Sequence, residues 1–152
     1  MSTVERNKAT ATTFFEQVFN QGDFTAMSSL APNYLYNGVP QNPQAFIAWV
    51  GAMRSHMPDL HFAIEEILGE DAKVALRWRM RGTTVGGGTA PAGVAVETTG
   101  TNIMTFDAQG LCLTNTQNGY GSFTVPGQPP VVITDDAMYS PPAPSSASSA
   151  RA

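Results

Sequence analysis

Hydrophobic residues recur every three to four positions in two stretches of the N-terminal half, which is the spacing of one face of an α-helix. The first stretch runs from Thr10 to Phe19. The second follows Asn42-Pro43, an N-cap and a proline at the first helical position, and continues to about His56. Between the two, Gly22 suits a left-handed C-cap and Asp23 an N-cap, so a short third helix is predicted there.

The period changes to two from Leu60 onward, which is typical of β-strands with one buried face. Turns are predicted at residues 69–71 and 107–110, and a flexible loop is predicted at the glycine-rich residues 86–88 and 91–93. Helices followed by an antiparallel meander favour an α+β domain, with the helices covering one face of a curved sheet. The predicted strands are Tyr34–Tyr36, His61–Leu68, Lys73–Thr83, Val94–Phe106 and Leu111–Val125.

The length of 152 residues fits one domain, which we place at residues 1–125. Prolines at residues 126–130 end the last long strand. Residues 126–139 are then expected to form an extension, in which Val131–Thr134 either adds a short edge strand or packs over the core. Residues 140–152 are rich in Pro, Ala and Ser and are predicted to be a disordered tail.

Charged residues make up 13% of the chain and the net charge is -4. Arg77, Arg79 and Arg81 alternate along one strand face, so no nucleic-acid partner is expected. With no signal peptide or long apolar run, the sequence indicates a cytoplasmic protein without a membrane partner. The single cysteine, Cys112, is interpreted as a core residue. No metal-ligand spacing or dinucleotide fingerprint is present, so no metal and no cofactor are predicted.

One long segment lacks ionisable side chains. Between Asp107 and Asp135 the chain has no Asp, Glu, Lys, Arg or His. The segment still alternates like a strand, and it places the amides Asn115 and Gln117 on one face. A pocket lined by this strand would therefore be polar but unable to titrate.

The sequence resembles the SnoaL-like polyketide cyclase family over roughly residues 8–123. The motifs that carry the resemblance are Phe15–Asp23, His56–Phe62, Lys73–Thr83 and Val96–Phe106. The resemblance implies the NTF2-like cone fold and a homodimer formed through the outer face of the sheet. That face would carry the three arginines together with Glu97, Thr99 and Thr101.

The chain departs from the family pattern at four positions. Family members that act by acid–base chemistry usually carry a His-x-Asp pair on the last strand, where this chain has Asn115 and Gln117. The family also often has Asp where this chain has Asn102, and His where it has Asn37. Four expected pocket positions therefore carry amides, which can hold a carbonyl or stabilise negative charge but cannot transfer protons. The alternative is that Asn102, Asn115 and Gln117 only satisfy one another in a polar core.

Few titratable candidates remain for chemistry. His61 begins a predicted strand, where a structural role is favoured over a catalytic one. Of Tyr34 and Tyr36, one is expected to point into the cone, where its hydroxyl would donate to a substrate carbonyl or simply pack in the core.

The apolar side offers more candidates for a binding pocket, because large apolar pockets with a few polar groups are the usual sites for small molecules. About half of these residues are expected to be ordinary core, and the others to line a cavity. The candidates are Phe14, Trp49, Met53, Trp78, Met80, Met104 and Phe106.

The family and the amides together suggest a cyclase that folds a hydrophobic polyketide-type substrate for ring closure, such as a pericyclic cycloaddition. Gln117, Asn102 or Tyr36 would then hydrogen-bond a substrate carbonyl. Three alternatives remain: an acid–base cyclase or isomerase using His61 or a tyrosine, a non-catalytic protein that binds a hydrophobic metabolite, and a dimerisation domain with a filled cone.

Overall fold

The first helix of the computed structural model, α1, spans Thr3–Phe14 and so begins earlier than the predicted Thr10. Ser2 caps it by accepting a hydrogen bond from the backbone N–H of Glu5. Its first half is polar, which is why hydrophobic spacing alone did not detect it. The structure describes residues 1–87, 90–124 and 131–133.

Beyond α1 the chain continues as a π-helix over Phe15–Gln21, which the sequence did not predict. This segment ends at Gly22, whose φ of 70° is the predicted left-handed cap. A short 3₁₀-helix follows over Phe24–Ser29 and is capped by Asp23, as predicted. The second long helix, α2, spans Pro43–His56, and the Asn42 side chain accepts from the N–H of Ala45. None of the described helices has the length and apolar character needed to span a membrane.

The described residues form one sheet of seven strands. The strands are β1 Leu30–Tyr36, β2 Val39–Pro40, β3 His61–Glu70, β4 Lys73–Gly87, β5 Ala90–Phe106, β6 Cys112–Thr124 and β7 Val131–Ile133. Their order is β2-β1-β6-β5-β4-β3, with β7 paired to the far part of β6. Neighbouring strands are antiparallel except β1 and β6, which are parallel. The arrangement confirms the predicted α+β architecture.

The prediction of a flexible loop at residues 86–88 and 91–93 is wrong for most of these residues. Strand β4 continues to Gly87 and β5 begins at Ala90, where these two residues pair. The first predicted turn is also displaced, because β3 extends through Glu70 before the chain reverses. Strand β7 confirms a short edge strand in the C-terminal extension. The rest of that extension and the tail at residues 140–152 lie outside the described residues.

Alternation along β4 and β5 separates a buried face from an exposed one. Val74, Leu76, Trp78 and Met80 are at most 2% exposed, as their spacing predicted. Both helices pack on this inner face. On the outer face, the arginines of β4 pair with carboxylates of β3 and β5, at distances of 2.7–3.2 Å.

Arg54 and Asn20 fix the helices against the sheet. The Arg54 guanidinium donates to the carbonyls of Phe19 and Asn20 at 2.8 and 2.7 Å, which ties α2 to the π-helix. The Asn20 side chain in turn bonds both the N–H and the carbonyl of Phe62 on strand β3. Two side chains thereby set the position of α2 above the inner face.

The indole of Trp78 crosses from β4 over Gly100 on β5 and reaches Gly119 on β6. A Cβ atom built at Gly100 would clash with the indole ring and would lie 2.7 Å from the carbonyl oxygen of Asn118. A Cβ at Gly119 would lie 3.7 Å from the ring. The glycine at position 100 is therefore needed for close approach of the indole to the sheet.

We predict that Gly100→Ala destabilises the protein by about 1–3 kcal/mol, because the indole and its neighbours must shift. The measurement is the free energy of unfolding in urea. Gly51→Ala on α2 is the matched control, since an added Cβ there meets nothing within 4 Å. The control should be neutral or stabilising, as expected for Gly→Ala in a helix. Equal stability of Gly100→Ala and the wild type would contradict this account of Trp78.

Candidate functional site

Three amide side chains from the last two long strands meet on the inner face of the sheet. Asn102 Nδ2 donates to Asn115 Oδ1 at 2.7 Å and approaches Gln117 Oε1 at 3.4 Å. Trp78 Nε1 donates to Asn102 Oδ1 at 2.6 Å. The three amides are between 0% and 8% exposed. The predicted sharing of one face by Asn115 and Gln117 is confirmed, and Asn102 pairs directly with Gln117.

Trp78 determines which way these amides point. An indole N–H can only donate, so the oxygen of Asn102 must face it and the Asn102 amide nitrogen must face away. That nitrogen is met by the oxygens of Asn115 and Gln117. Their own amide nitrogens are therefore turned away from Asn102. The Asn115 side chain also hydrogen-bonds with Tyr34, so the amide nitrogen of Gln117 is the donor that faces away from the cluster.

Tyr34 and Tyr36, from β1, both border that space, although only one was expected to point inward. Tyr34 is buried and hydrogen-bonds with Asn115, whereas Tyr36 is half-buried. Burial raises the pKa of Tyr34 far above its usual value, and the nearby Cys112 and Tyr36 add to the effect. The hydrogen bond with Asn115 opposes this shift without cancelling it. Tyr34 therefore stays a neutral phenol at physiological pH.

Asn37 has a different position from the one predicted. It occupies the turn after β1 with a φ of 48°. Its Oδ1 accepts from the backbone N–H of Gln117 at 2.8 Å, and its own N–H donates to the carbonyl of Asn115 at 2.9 Å. Asn37 thus ties the turn to β6 and positions the amide cluster, and it is not among the residues that line the cavity.

The large cone cavity expected from the sequence is absent from the described part of the chain. The space in front of the amides measures about 10 Å³, roughly the volume that one water molecule needs. Its lining is aromatic apart from the amides. The lining residues are Phe14, Phe15, Phe19, Tyr34, Tyr36, Phe46, Trp49, Asn102, Asn115 and Gln117.

A cluster of phenylalanines fills the cone. The π-helix brings Phe15 and Phe19 to the same side as Phe14, with ring centroids 5.4–6.4 Å apart. Phe46 from α2 stacks on Phe14 at 6.3 Å. Phe15, Phe19 and Phe46 were not among the predicted pocket residues. Their helical spacing is typical of a buried face, but it does not indicate which side chains reach the amides.

A second space lies beside the first, as a groove of about 290 Å³ between α2 and the β4–β5 hairpin. Trp49 borders both spaces. Met53 and Met80, predicted for the cone, border the groove and not the amide cavity. The groove is lined by Trp49, Ala52, Met53, His56, Met57, Met80, Thr84 and Val96.

Two predicted pocket residues, Trp78 and Met104, belong to the core. Both are at most 1% exposed and border neither the cavity nor the groove. Trp78 still acts on the site through its hydrogen bond to Asn102. Phe106 is likewise part of the buried cluster.

Neither of the two histidines, nor Cys112, is among the residues that line the amide cavity. His61 is exposed on the outer face of the sheet, where it pairs with Arg81 on β4. This position argues against a role for His61 as a catalytic acid or base. His56 is exposed at the end of α2. Cys112 is buried as predicted, and burial raises the pKa of its thiol to about 12. In the described residues no group of three His, Cys, Asp or Glu side chains is placed to hold a metal ion.

Comparison with known proteins agrees with the architecture. The sequence matches the SnoaL-like polyketide cyclase family over residues 9–110, which is most of the chain. No functionally curated protein is detectably similar in sequence.

Several solved structures share the fold. AclR from Streptomyces galilaeus aligns with a TM-score of 0.65 at 16% identity, over 76% of this chain and 90% of AclR. IdmH from Streptomyces antibioticus gives 0.62 at 21% identity, over 74% and 91%. A SnoaL-like polyketide cyclase from Agrobacterium tumefaciens gives 0.60 at 16%, over 74% and 90%. At such identities these matches show the fold alone, which is the predicted NTF2-like cone.

We predict that Asn102→Ala costs at least about 2 kcal/mol of stability, because it removes the acceptor of the Trp78 indole N–H and the donor to the Oδ1 of Asn115, both of which are buried. Urea unfolding measures the cost, and near-ultraviolet circular dichroism reports the tryptophan environment. Asn118→Ala, on the exposed face of the same sheet, is the control and should change stability by less than about 0.5 kcal/mol. A similarly small loss of stability at both positions would show that the amide network contributes little to the free energy of unfolding.

Proposed function

Since the chain belongs to the SnoaL-like polyketide cyclase family, we propose that it is a cofactor-independent cyclase acting on a mostly apolar polyketide-type chain. In this proposal it holds a substrate carbonyl by amide hydrogen bonds and promotes ring closure by restricting the conformation of the chain. A pericyclic ring closure, such as a cycloaddition, is a reaction that hydrogen bonding and conformational restriction would accelerate.

The orientation of the amide cluster is the observation that carries the proposal. The amide nitrogen of Gln117, turned away from Asn102, matches a carbonyl oxygen, which only accepts hydrogen bonds. Such a donor, fixed in advance by Trp78 and Asn102, also stabilises negative charge that develops on that oxygen during reaction. In a substrate with a conjugated carbonyl, it would polarise the reacting double bond.

The lining of the cavity supports a reaction without proton transfer. Its ionisable side chains are Tyr34 and Tyr36, and the raised pKa of Tyr34 removes it as a base near neutrality. A general base must lie within hydrogen-bond reach of the proton that it removes. Ring closure between carbons held close together needs no base. Restricting a flexible chain can lower the barrier by roughly 7–11 kcal/mol in favourable cases.

The small cavity favours one competing function, a domain that binds no substrate in its cone. A polyketide-type chain cannot enter a space of about 10 Å³ unless the aromatic side chains around it move. A catalytic role therefore requires a conformational change in the phenylalanine cluster or in Trp49. Turnover distinguishes a cyclase from this alternative and from a protein that only stores a hydrophobic metabolite.

The direct test is incubation with linear polyene ketones, followed by mass spectrometry and NMR for a cyclised product of unchanged mass. We predict a rate that varies less than about twofold between pH 6 and 8, because the described residues that line the cavity include no Asp, Glu or His and the pKa of Tyr34 is raised far above this range. A bell-shaped profile centred near pH 7 would overturn the mechanism. Binding without product would favour the storage function.

Substitutions separate the amide mechanism from an acid–base one. Gln117→Glu exchanges a donor for a carboxylate, so we expect at least a tenfold loss in kcat. Asn118→Asp, the adjacent exposed residue, is the control and should keep full activity. His61→Ala should also keep full activity. A large loss in His61→Ala would revive the acid–base alternative.

We also propose that the protein is a homodimer that joins through the outer face of the sheet. The described helices pack on the inner face and leave this outer face open. Its arginines are already paired with carboxylates, so a partner would meet little uncompensated charge. Ile103, on the outer face of β5, is 53% exposed and offers an apolar side chain to a partner.

Light scattering should therefore give the mass of a dimer at micromolar concentration. Ile103→Arg places a charge at the centre of the interface and should yield monomers. Ala48→Arg, on the exposed side of α2, should leave the dimer intact. A wild-type monomer at that concentration would refute the proposal.

A further inference from the structure

We propose that the groove between α2 and the β4–β5 hairpin binds the apolar end of an elongated substrate whose carbonyl reaches the amide cluster, with Trp49 as the movable wall between them. The inference rests on the proposed function, because it assigns a second part of the same substrate to a second space. It differs from the cone cavity in location, lining and chemistry.

The groove has the size and the lining of a small-molecule site, whereas the amide cavity does not. Its volume is about 290 Å³, against about 10 Å³ for the cavity. Met53, Met57 and Met80 contribute flexible, polarisable side chains, which adapt to irregular apolar ligands. His56 is the one ionisable residue in the lining, and it lies at the exposed end of α2. The groove therefore suits a hydrocarbon segment.

Trp49 lies between the two spaces. Its side chain lines both, and it is half-buried and packs against the edge of the core. It contacts Phe19 and Phe46 edge-on or tilted, with ring centroids 6.4 and 5.9 Å apart. In this proposal, displacement of the indole joins the groove to the space in front of Gln117.

The inner face of β5 does not offer another route between the two spaces. Val96 lines the groove and Asn102 anchors the amides, but the Trp78 indole covers Gly100 between them. The proposal therefore requires that the substrate passes at Trp49.

These observations define the ligand by its chemistry. It is an extended chain with an apolar end for the groove and a hydrogen-bond acceptor for the amides. A compact aromatic molecule does not fit this arrangement, because the ligand must occupy the groove and reach Gln117 at once. A highly charged molecule does not fit the apolar lining of the groove.

The test uses 2-undecanone labelled with ¹³C at its carbonyl as a probe with one apolar end and one acceptor. Wild-type protein should bind it, and the carbonyl resonance should move downfield as the amides donate to the oxygen. Ala52→Arg places a charged side chain in the groove from an exposed helical position and should weaken binding at least tenfold. Ala48→Arg, the same substitution one turn earlier, should change affinity less than twofold.

Met53→Arg provides a second variant with the same expectation, in case the side chain introduced by Ala52→Arg folds away from the groove. Unchanged affinity in both groove variants would overturn the proposal, as would a wild type that does not bind the ketone at millimolar concentration.

Tryptophan fluorescence tests whether Trp49 is the movable wall between the groove and the amide cavity. Binding of the ketone should change the emission of the wild type, and the change should disappear in Trp49→Phe, where buried Trp78 is the remaining tryptophan. A full response in Trp49→Phe would overturn the role of Trp49.

Failure of this inference can be told apart from failure of the proposed function. Normal cyclisation by Ala52→Arg would reject the groove and leave the cyclase intact. Ketone binding that follows the expected pattern, in a protein without turnover, would reject the cyclase alone.

Discussion

The hydrogen bond from the Trp78 indole to Asn102, made possible by the glycine at position 100, is the contact on which the rest of the interior depends. It links three strands, because the indole starts on β4, covers β5 and reaches β6. It also sets the direction of every amide in the cluster. A residue with a side chain at position 100 would lift the indole, and the orientation of Asn102 would no longer be fixed. One close approach of backbone and ring thus connects the stability of the sheet to the polarity of the site.

This hydrogen bond helps to decide whether the amides only satisfy one another in a polar core or also face a substrate. Asn102 is a structural residue, since each of its amide atoms is engaged by neighbours. Asn115 is engaged by both Asn102 and Tyr34, whereas Gln117 is held through its oxygen and its nitrogen faces away from Asn102. The same network is therefore both a satisfied core and a donor surface, and the two interpretations drawn from the sequence apply to different atoms of the cluster.

The sequence was sufficient for the fold and for the faces of the strands, because alternation places Asn115 and Gln117 on one side whatever surrounds them. It could not predict the filled cone. That outcome depends on the π-helix, which turns Phe15 and Phe19 toward the amides, and hydrophobic spacing carries no signal for such a helix. Nor could it show that His61 faces outward, since a strand boundary shifted by one residue reverses the face.

A filled cone is compatible with catalysis if opening it costs little. Trp49 makes two aromatic contacts, each worth about 0.5–1.5 kcal/mol. Losing both would cost about 1–3 kcal/mol, whereas burying 100 Å² of apolar ligand contributes about 2.5 kcal/mol. A chain long enough to occupy the groove would therefore offset the displacement of Trp49 by its own burial. Short ligands would not, so the aromatic wall would itself select for length.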